Sequence, residues 1–233
     1  MKNLRTLAIF CFVLLASIKQ YAQHRSQIFV EVNHQTNTLN IKQQLQFVNN
    51  SSDTLSAIVL NDWTSAYANV NTPLARRFSD EFYRSFHLSN ANERGGTKNI
   101  TILDNANLFL NWNILTEHPD IITVALRQKL PPNKETSLQL TYTVKIPTDK
   151  FTKYGYDSAG NIALKNWFLA PARYENHDFV LHSNENLDDI ANAATDYEIE
   201  MKIDKKYAVT TDLDLTTAVA HDTYTVYNFN GKK

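Results

Sequence analysis

The sequence is poor in the features that mark several common classes of binding site. Its 233 residues include one cysteine and five glycines, and 23 basic side chains stand against 24 acidic ones. The glycines form neither of the phosphate loops of nucleotide enzymes, in which backbone must approach phosphate closely. The balanced charge offers no basic surface to nucleic acid or to an anionic membrane. Nucleotide chemistry and nucleic-acid partners are therefore disfavoured.

The first 22 residues have the composition of a secretory signal peptide. Two basic residues precede an apolar run over 7–18, which as a helix would rise about 18 Å, against roughly 30 Å for a bilayer core. We predict a signal peptide over 1–22 and a secreted or periplasmic protein with no membrane span after cleavage. The single cysteine, Cys11, lies in this run. Residues 23–233 would therefore lack a disulfide, a thiolate zinc site and a cysteine nucleophile.

Alternation of apolar and polar residues dominates the remainder of the chain and predicts β-strands. Ile28, Val30 and Val32 share one strand face, and the clearest alternation runs over 138–146. Other predicted strands cover 39–47, 55–60, 100–103, 108–115, 121–126, 162–169, 178–182, 197–203, 207–210 and 223–229. Many short strands separated by turn residues are typical of an antiparallel β-sandwich or a saddle-shaped sheet. The predicted fold class is all-β, in one domain over 23–233.

One amphipathic helix is predicted within this β-rich chain. Leu74, Phe78, Phe82 and Phe86 recur at four-residue spacing with charged residues between them, which predicts a helix over 73–88. Its first residue, Pro73, suits a helix amino terminus. A second, short helix is expected over 186–194. The dipeptide at 230–231 is Asn-Gly, a strong hairpin signal, so that we expect a return strand and a further domain beyond residue 233.

The charged and nucleophilic residues form no recognisable catalytic motif. The seven histidines are scattered, and the H-E-x-x-H pattern that puts two zinc-binding imidazoles on one helix face does not occur. No metal site is predicted in this chain. The segment over 166–175 is more distinctive, because an aromatic-rich strand there runs into a proline and then a tyrosine among charges. Such a composition fits either a core strand end or the wall of a pocket.

This segment carries the motif Trp167-Phe168-x-x-Pro171-Ala172-x-Tyr174. It resembles the Q-W-[FY]-P-x-[PM]-A-V-Y-D stretch in the amino-terminal β-domain of bacterial members of the aminopeptidase N family, the gluzincin-type zinc peptidases. Two further segments resemble that domain in the expected order. Residues 49–60 match its N-N-S-S-D-T-L-x-x-I-V-L pattern, and residues 194–199 resemble its F-G-D-F-D-V strand. The resemblance covers nearly all of residues 23–233.

The resemblance implies a saddle-shaped β-module that packs against a thermolysin-like catalytic domain of the same polypeptide. In that family the catalytic domain holds zinc through H-E-x-x-H, so zinc would be a cofactor of the full-length protein and not of this chain. The β-domain contributes a Gln or Glu, just before the aromatic stretch, that binds the α-amino group of the peptide substrate. The matching residue here is Asn166, and the resemblance implies that Asn166, Trp167 and Tyr174 contact substrate. The family's Pro is replaced by Leu169.

A second function remains open at this point. Exposed aromatic side chains, among them Trp63, Trp112, Trp167 and the tyrosines, could instead give a non-enzymatic β-sandwich that binds carbohydrate or protein at the cell surface or in the periplasm. An H-E-x-x-H motif encoded beyond residue 233 would favour the peptidase, and a cell-wall-sorting module would favour the binding protein.

The first testable prediction concerns zinc. Because residues 23–233 offer neither thiolates nor a helical histidine pair, the purified chain of residues 23–233 should retain no stoichiometric zinc after dialysis against a weak chelator. Elemental analysis measures this directly. One zinc ion per chain after dialysis would contradict the prediction.

Overall fold

The computed structural model describes residues 23–185 and 191–231. The predicted signal peptide lies outside the described residues, and so does most of the short helix expected over 186–194. The strands are β1 (His24–Asn33), β2 (Thr38–Val48), β3 (Leu55–Asn61), β4 (Gly96–Leu103), β5 (Trp112–Ile114), β6 (Ile121–Leu130), β7 (Glu135–Lys145), β8 (Gly155–Tyr156), β9 (Ile162–Ala163), β10 (Ala170–Pro171), β11 (Tyr174–Glu175), β12 (Asp178–Phe179), β13 (Thr195–Asp204), β14 (Asp214–Ala220) and β15 (Tyr224–Gly231). A 3-10 helix covers Trp63–Tyr67, and an α-helix, α1, covers Pro73–Asp80.

Two large sheets and two small two-stranded ones, β8-β9 and β11-β12, form the architecture of the described residues, and the predicted all-β class is confirmed. The larger sheet has seven strands in the order β14-β15-β13-β1-β2-β7-β4, and the smaller has four in the order β10-β3-β6-β5. The first strand of the described chain therefore lies in the middle of the larger sheet. It pairs antiparallel with β2 and parallel with β13, in a register that places Ile28 opposite both Gln43 and Ile199.

Strand alternation builds the core between the two sheets. Along β1 and β2 every second side chain is buried and the intervening ones are exposed or half-buried, as a sheet with one buried face requires. These inward side chains join those of β3, β6 and β7 in one apolar cluster. One inward position of β2 departs from the pattern, because Gln43 is buried among Leu39, Ile41 and Leu45.

Helix α1 is shorter than the predicted 73–88. It begins as expected, with Thr72 at the N-cap accepting a hydrogen bond from the Ala75 N–H (3.2 Å) and with Pro73 in the first turn. It ends because Phe82 has a φ of +58°, in the left-handed region that closes many helices. Phe78 and Phe86 still pack into a second, aromatic cluster, whereas Phe82 is 84% exposed.

Three strand predictions at the chain's second half are corrected. The strand predicted over 162–169 is reduced to β9, because the chain there crosses between the sheets instead of joining a ladder. Residues 207–210 are irregular, and the unpredicted strand β14 follows them. The dipeptide at 230–231 is not a hairpin turn. It continues β15, which pairs with β13 on one side and β14 on the other.

Within the described part of the chain, no helix has the length and apolar character needed to cross a membrane.

The start of β1 is fixed by a buried histidine. The His24 ring stacks on Phe47 with a centroid distance of 4.5 Å, and its Nδ1 accepts a hydrogen bond from the Val48 N–H (3.1 Å). Burial lowers the pKa of His24 from 6.5 to about 4. The folded protein therefore holds this imidazole neutral.

This histidine predicts an acid-sensitive fold. The unfolded chain binds a proton at His24 below pH 6.5 and the folded chain does not until about pH 4, so stability falls as the pH drops through this window. Between pH 7 and 5 the free energy of unfolding should decrease by about 2 kcal/mol through this residue alone. In His24→Gln this part of the decrease should vanish in urea unfolding at each pH. The control, His182→Gln, changes an exposed histidine. Identical pH profiles for wild type and His24→Gln would contradict the assignment.

Candidate functional site

The segment over 166–174 runs from one sheet to the other. Ala170 and Pro171 form β10 and pair with Asn61 and Leu60 of β3, in the smaller sheet. The residues just before them lie against the larger sheet. A chain that crosses the core in this way carries peptide groups that no sheet ladder satisfies, and those groups need other partners.

A buried polar network supplies those partners at Leu169. The Tyr142 hydroxyl accepts a hydrogen bond from the Leu169 N–H (3.0 Å) and donates to Gln43 Oε1 (2.6 Å). Gln43 Nε2 donates to the Leu169 carbonyl (2.8 Å) and to Ser26 Oγ (2.9 Å). Burial raises the pKa of Tyr142, so its hydroxyl stays protonated. Strands β1, β2 and β7 therefore jointly fix the backbone three residues after Asn166.

Asn166 adopts a backbone conformation that few residue types favour. Its φ is +48°, in the left-handed region where Asn is enriched and where longer side chains are strained. Asn166 is half-buried, and its Nδ2 is buried with no hydrogen-bond partner among the described residues. A buried amide without a partner is destabilising by roughly 1–3 kcal/mol. Such a donor is suited to a ligand that offers an acceptor.

The two aromatic residues that follow Asn166 connect it to the larger sheet. Trp167 belongs to the core and is 9% exposed, and its ring meets Phe168 edge-on at 5.1 Å. Phe168 in turn contacts the Tyr197 ring at 4.8 Å. Tyr197 is an inward residue of β13, so Asn166 lies near the start of that strand.

A groove of about 1030 Å³ lies over this part of the sheet, and we call it the β13 groove. Its floor consists of successive inward side chains of β13 with one from β15, namely Tyr197, Ile199, Met201, Ile203 and Phe229. Its walls come from residues 160–168 and 206–214. Asn166 and Trp167 both line this groove.

Tyr174 lies in a different place from Asn166 and Trp167. It is absent from the groove lining among the described residues, and its hydroxyl donates to Asp53 Oδ2 (2.9 Å). His177 Nδ1 lies 2.8 Å from the same oxygen, and the Phe179 ring packs on Tyr174 at 4.9 Å. The hydrogen bonds from Tyr174 and, second, His177 lower the pKa of Asp53. Tyr174 therefore fastens the 49–53 loop, and the structure does not bring it together with Asn166.

The far end of the β13 groove carries a second polar atom without a partner. The His34 ring stacks on Tyr207 at 3.4 Å, and His34 Nδ1 is buried with no hydrogen-bond partner in the described chain. Burial, followed by the nearby Lys206, lowers the pKa of His34, and Asp204 opposes this shift. Lys206 also lies over the Tyr207 ring at 5.0 Å.

Sequence reasoning missed most of the residues that build this site. The Gln43–Tyr142 network was overlooked, although the alternation of β2 contained a signal, since Gln43 stands at a position where the pattern requires an apolar residue. His34 and Tyr207 are distant in sequence and meet only because β1 and β13 run parallel. No pattern along the chain could have joined them.

The described residues do not fit a zinc site. Residues 23–185 and 191–231 contain no group of three or more His, Cys, Asp or Glu side chains that could hold a metal ion. The zinc content of the protein stays a prediction.

The alternative function through exposed tryptophans is not supported. Trp63 is 7% exposed and packs in the aromatic cluster, Trp167 is buried in the core, and Trp112 is half-buried. Trp63 and Trp167 are therefore not surface platforms for carbohydrate, and the alternative through Trp112 and the tyrosines stays a prediction.

No profile of a known protein family and no curated protein matches the chain. Among solved structures, it is similar to an M1 zinc metallopeptidase from Deinococcus radiodurans, at 11% sequence identity and a TM-score of 0.47, over 89% of this chain and 37% of that one. A two-domain M1 zinc metallopeptidase mutant bound to L-tryptophan matches at 10% identity and a TM-score of 0.47, over 89% of this chain and 39% of the other. Both of these structures are M1 zinc metallopeptidases. The chain spans less than two fifths of their length, so that the activity, substrates and partners of a whole protein are matters of proposal.

The network at Leu169 gives a stability prediction. Tyr142→Phe leaves Gln43 Oε1 and the Leu169 N–H buried without their partner, so the free energy of unfolding should fall by about 2–4 kcal/mol. The Leu169 amide should also exchange its hydrogen faster. Urea unfolding and amide exchange measure the two effects.

Tyr227→Phe is the matched control, because Tyr227 is half-buried on β15 and takes no part in this network. It should change stability by no more than about 0.5 kcal/mol. Equal losses in the two variants would show that the network does not hold the segment.

Proposed function

We propose that this chain is the amino-terminal β-domain of an exported aminopeptidase N-like zinc metallopeptidase. In this proposal the domain shapes the pocket that receives the amino end of a peptide substrate and has no hydrolytic activity alone. Catalysis belongs to a further domain of the same polypeptide. Export rests on the signal-peptide composition of residues 1–22.

The position of Asn166 carries the proposal. Asn166 stands where the motif resemblance places the family's Gln or Glu, and it lines the β13 groove, where its unpartnered Nδ2 can donate to an acceptor such as a substrate carbonyl. Its Oδ1 is an acceptor for the ammonium group of a substrate. A hydrogen bond to a charged donor contributes about 1.5–3 kcal/mol, enough to favour peptides with an unmodified amino end.

The backbone explains why Asn stands where the family has Gln or Glu. A φ of +48° favours Asn over longer side chains, because the Asn side chain tolerates the left-handed region. The shorter reach of Asn is then a consequence of the local fold. Trp167 provides the adjoining apolar wall, whereas Tyr174 supports the neighbouring loop and would act on substrate only indirectly.

In this proposal the described residues of the β-domain do not bind zinc. When bound in a catalytic domain, zinc would supply Lewis-acid polarisation of a peptide carbonyl and activation of water. The contribution of this chain is limited to binding and orienting the substrate's amino end and to excluding other substrates.

The test uses the full-length protein with its catalytic domain. Asn166→Gly accepts the left-handed backbone and removes the amide, so kcat/KM for peptides with an unmodified amino terminus should fall roughly ten- to a hundredfold. Asn166→Asp keeps an acceptor and should lose less. Peptides with an acetylated amino terminus should respond to neither change.

Asn176→Gly is the matched control, since Asn176 also has a left-handed backbone, with a φ of +51°, but lies outside the groove lining. It should leave kcat/KM unchanged. A loss in Asn166→Gly that is equal for acetylated and unmodified peptides, or a fall in Tm with no change in kcat/KM, would overturn the substrate-binding role.

A further inference from the structure

We propose that the solvent-facing side of the larger sheet binds a neutral oligosaccharide, with one sugar ring stacked on Phe29. This side of the sheet is opposite to the core and to the β13 groove. The site does not rest on the proposed peptidase role. Among the described residues, none of the three tryptophans lines it.

A shallow concavity of about 660 Å³ lies on this side of the sheet, and we call it the outer concavity. It crosses six neighbouring strands, from β14 to β7, which is a width of about 24 Å at the usual strand spacing. Its volume is in the range of sites that bind small molecules. Its width suits a chain of several sugar units that lies across the strands.

Phe29 stands in the middle of the outer concavity. Its neighbours along β1, Ile28 and Val30, point into the core, so the half-buried Phe29 ring points outward. The other apolar residues of the described lining are buried in the core, which makes Phe29 the one outward apolar side chain there. A sugar ring has faces of C–H groups, and an aromatic ring provides a flat apolar surface on which such a face can stack.

A row of amide and carboxylate side chains crosses the sheet beside Phe29. In consecutive strands from β15 to β7, the paired residues of this row are Asn230, Glu198, Gln27, Gln44 and Gln139. All of them line the outer concavity. A carboxamide both donates and accepts hydrogen bonds, as a sugar hydroxyl does, and a planar amide or carboxylate can bond two neighbouring hydroxyls. The row therefore complements the hydroxyl groups along an oligosaccharide.

Hydrogen bonds within this face hold two of the amides in place. Gln27 Nε2 donates to Glu198 Oε2 (2.8 Å), and Gln139 Nε2 donates to Asn107 Oδ1 (2.8 Å). A carboxamide has two N–H groups and two acceptor lone pairs, so one such bond leaves most of its capacity for a ligand. Side chains that are already oriented lose less conformational entropy when a ligand binds.

The charges of the outer concavity favour an uncharged ligand over an anionic one. Glu198 and Glu200 line it, and Lys42 is the one cation of the described lining. Nucleic acids and anionic glycans require clusters of cations. A protein partner requires an apolar centre at its interface that is broader than a single phenylalanine. The remaining ligand class that offers many hydroxyl groups and no charge is a neutral oligosaccharide.

The binding experiment uses calorimetry on the full-length protein. The probes are uncharged hexasaccharides, namely cellohexaose, maltohexaose, mannohexaose and the N-acetylglucosamine hexamer of chitin. At least one of them should bind with a Kd in the micromolar to low-millimolar range. Hexagalacturonate, which is anionic, should bind more weakly than the best neutral probe, because it meets Glu198 and Glu200. Hexalysine should also bind more weakly, since it offers no hydroxyl groups.

Phe29 variants test the stacking. Phe29→Ala should weaken binding of the best neutral probe roughly three- to tenfold, and Phe29→Tyr, which keeps the ring, should bind like the wild type. Tyr224→Ala is the matched control, because Tyr224 is a half-buried, outward aromatic residue of β15 that lies outside the described lining. It should leave the affinity unchanged.

A pair of glutamines on β2 tests the amide row. Gln44→Ala should weaken binding roughly three- to tenfold through the loss of its hydrogen bonds. Gln46→Ala is the matched control, because Gln46 is the next outward residue of the same strand and lies outside the described lining. Gln44 is exposed, so its substitution should leave Tm unchanged and keep the test valid even where Phe29→Ala lowers Tm.

The outcomes decide this site separately from the proposed function. No binding of any neutral probe at millimolar concentration, equal or tighter binding of hexagalacturonate or hexalysine, or equal affinities of Gln44→Ala and Gln46→Ala would overturn the oligosaccharide site. Neutral-probe binding that falls in Phe29→Ala and Gln44→Ala, and not in their controls, supports it. Neither result depends on the kinetics of Asn166→Gly.

Discussion

The hydrogen bonds that Gln43 and Tyr142 make to Leu169 are the interaction on which the candidate site depends. A segment that crosses between two sheets brings unpaired peptide groups into the core, and a purely apolar core could not accept them. Gln43 occupies an inward position of β2 that otherwise belongs to an apolar residue. The larger sheet therefore has a polar side chain at this inward position instead of an apolar one. The hydrogen bonds to Leu169 fix the backbone where the segment crosses between the sheets. A fully satisfied buried network of this kind rigidifies its surroundings.

The groove follows from a mismatch between the two sheets. The larger sheet has seven strands and the smaller sheet has four. In the larger sheet, β2 and β7 lie on one flank of β1, and β13 and β15 lie on the other. The smaller sheet covers the first flank and closes the core there. Over β13 and β15 the inward faces meet irregular segments instead, which pack less completely. Ile199 and Phe229 remain buried, but irregular segments rather than the smaller sheet lie over them, and they form part of the groove floor.

The sequence revealed the parts of this structure that depend on local periodicity. The strands around Ile28, Ile41 and Leu140 alternate, and each was located to within a few residues, because burial on one face imposes a two-residue period. The sequence-based predictions failed where tertiary contacts override the local pattern of apolar and polar residues. The aromatic residues near Trp167 have the sequence pattern of a strand. The backbone of the neighbouring Leu169, however, is hydrogen-bonded to side chains of distant strands. Strand β14 escaped notice because all of its residues are exposed, so burial imposes no apolar pattern on it. The pairing of His34 with Tyr207 depends on topology alone.

The state of Asn166 is best understood as a consequence of the fixed crossing point three residues later. Leu169 is bonded at both its N–H and its carbonyl, and three residues before this fixed point Asn166 has a left-handed backbone. The Nδ2 of Asn166 is buried and pairs with no described residue. Sparsely populated backbone conformations and unsatisfied polar groups persist only where surrounding structure enforces them, and they concentrate at binding sites. The core network therefore stabilises the fold and, through the same bonds, fixes the backbone close to a buried donor at Asn166 that has no partner in the described chain.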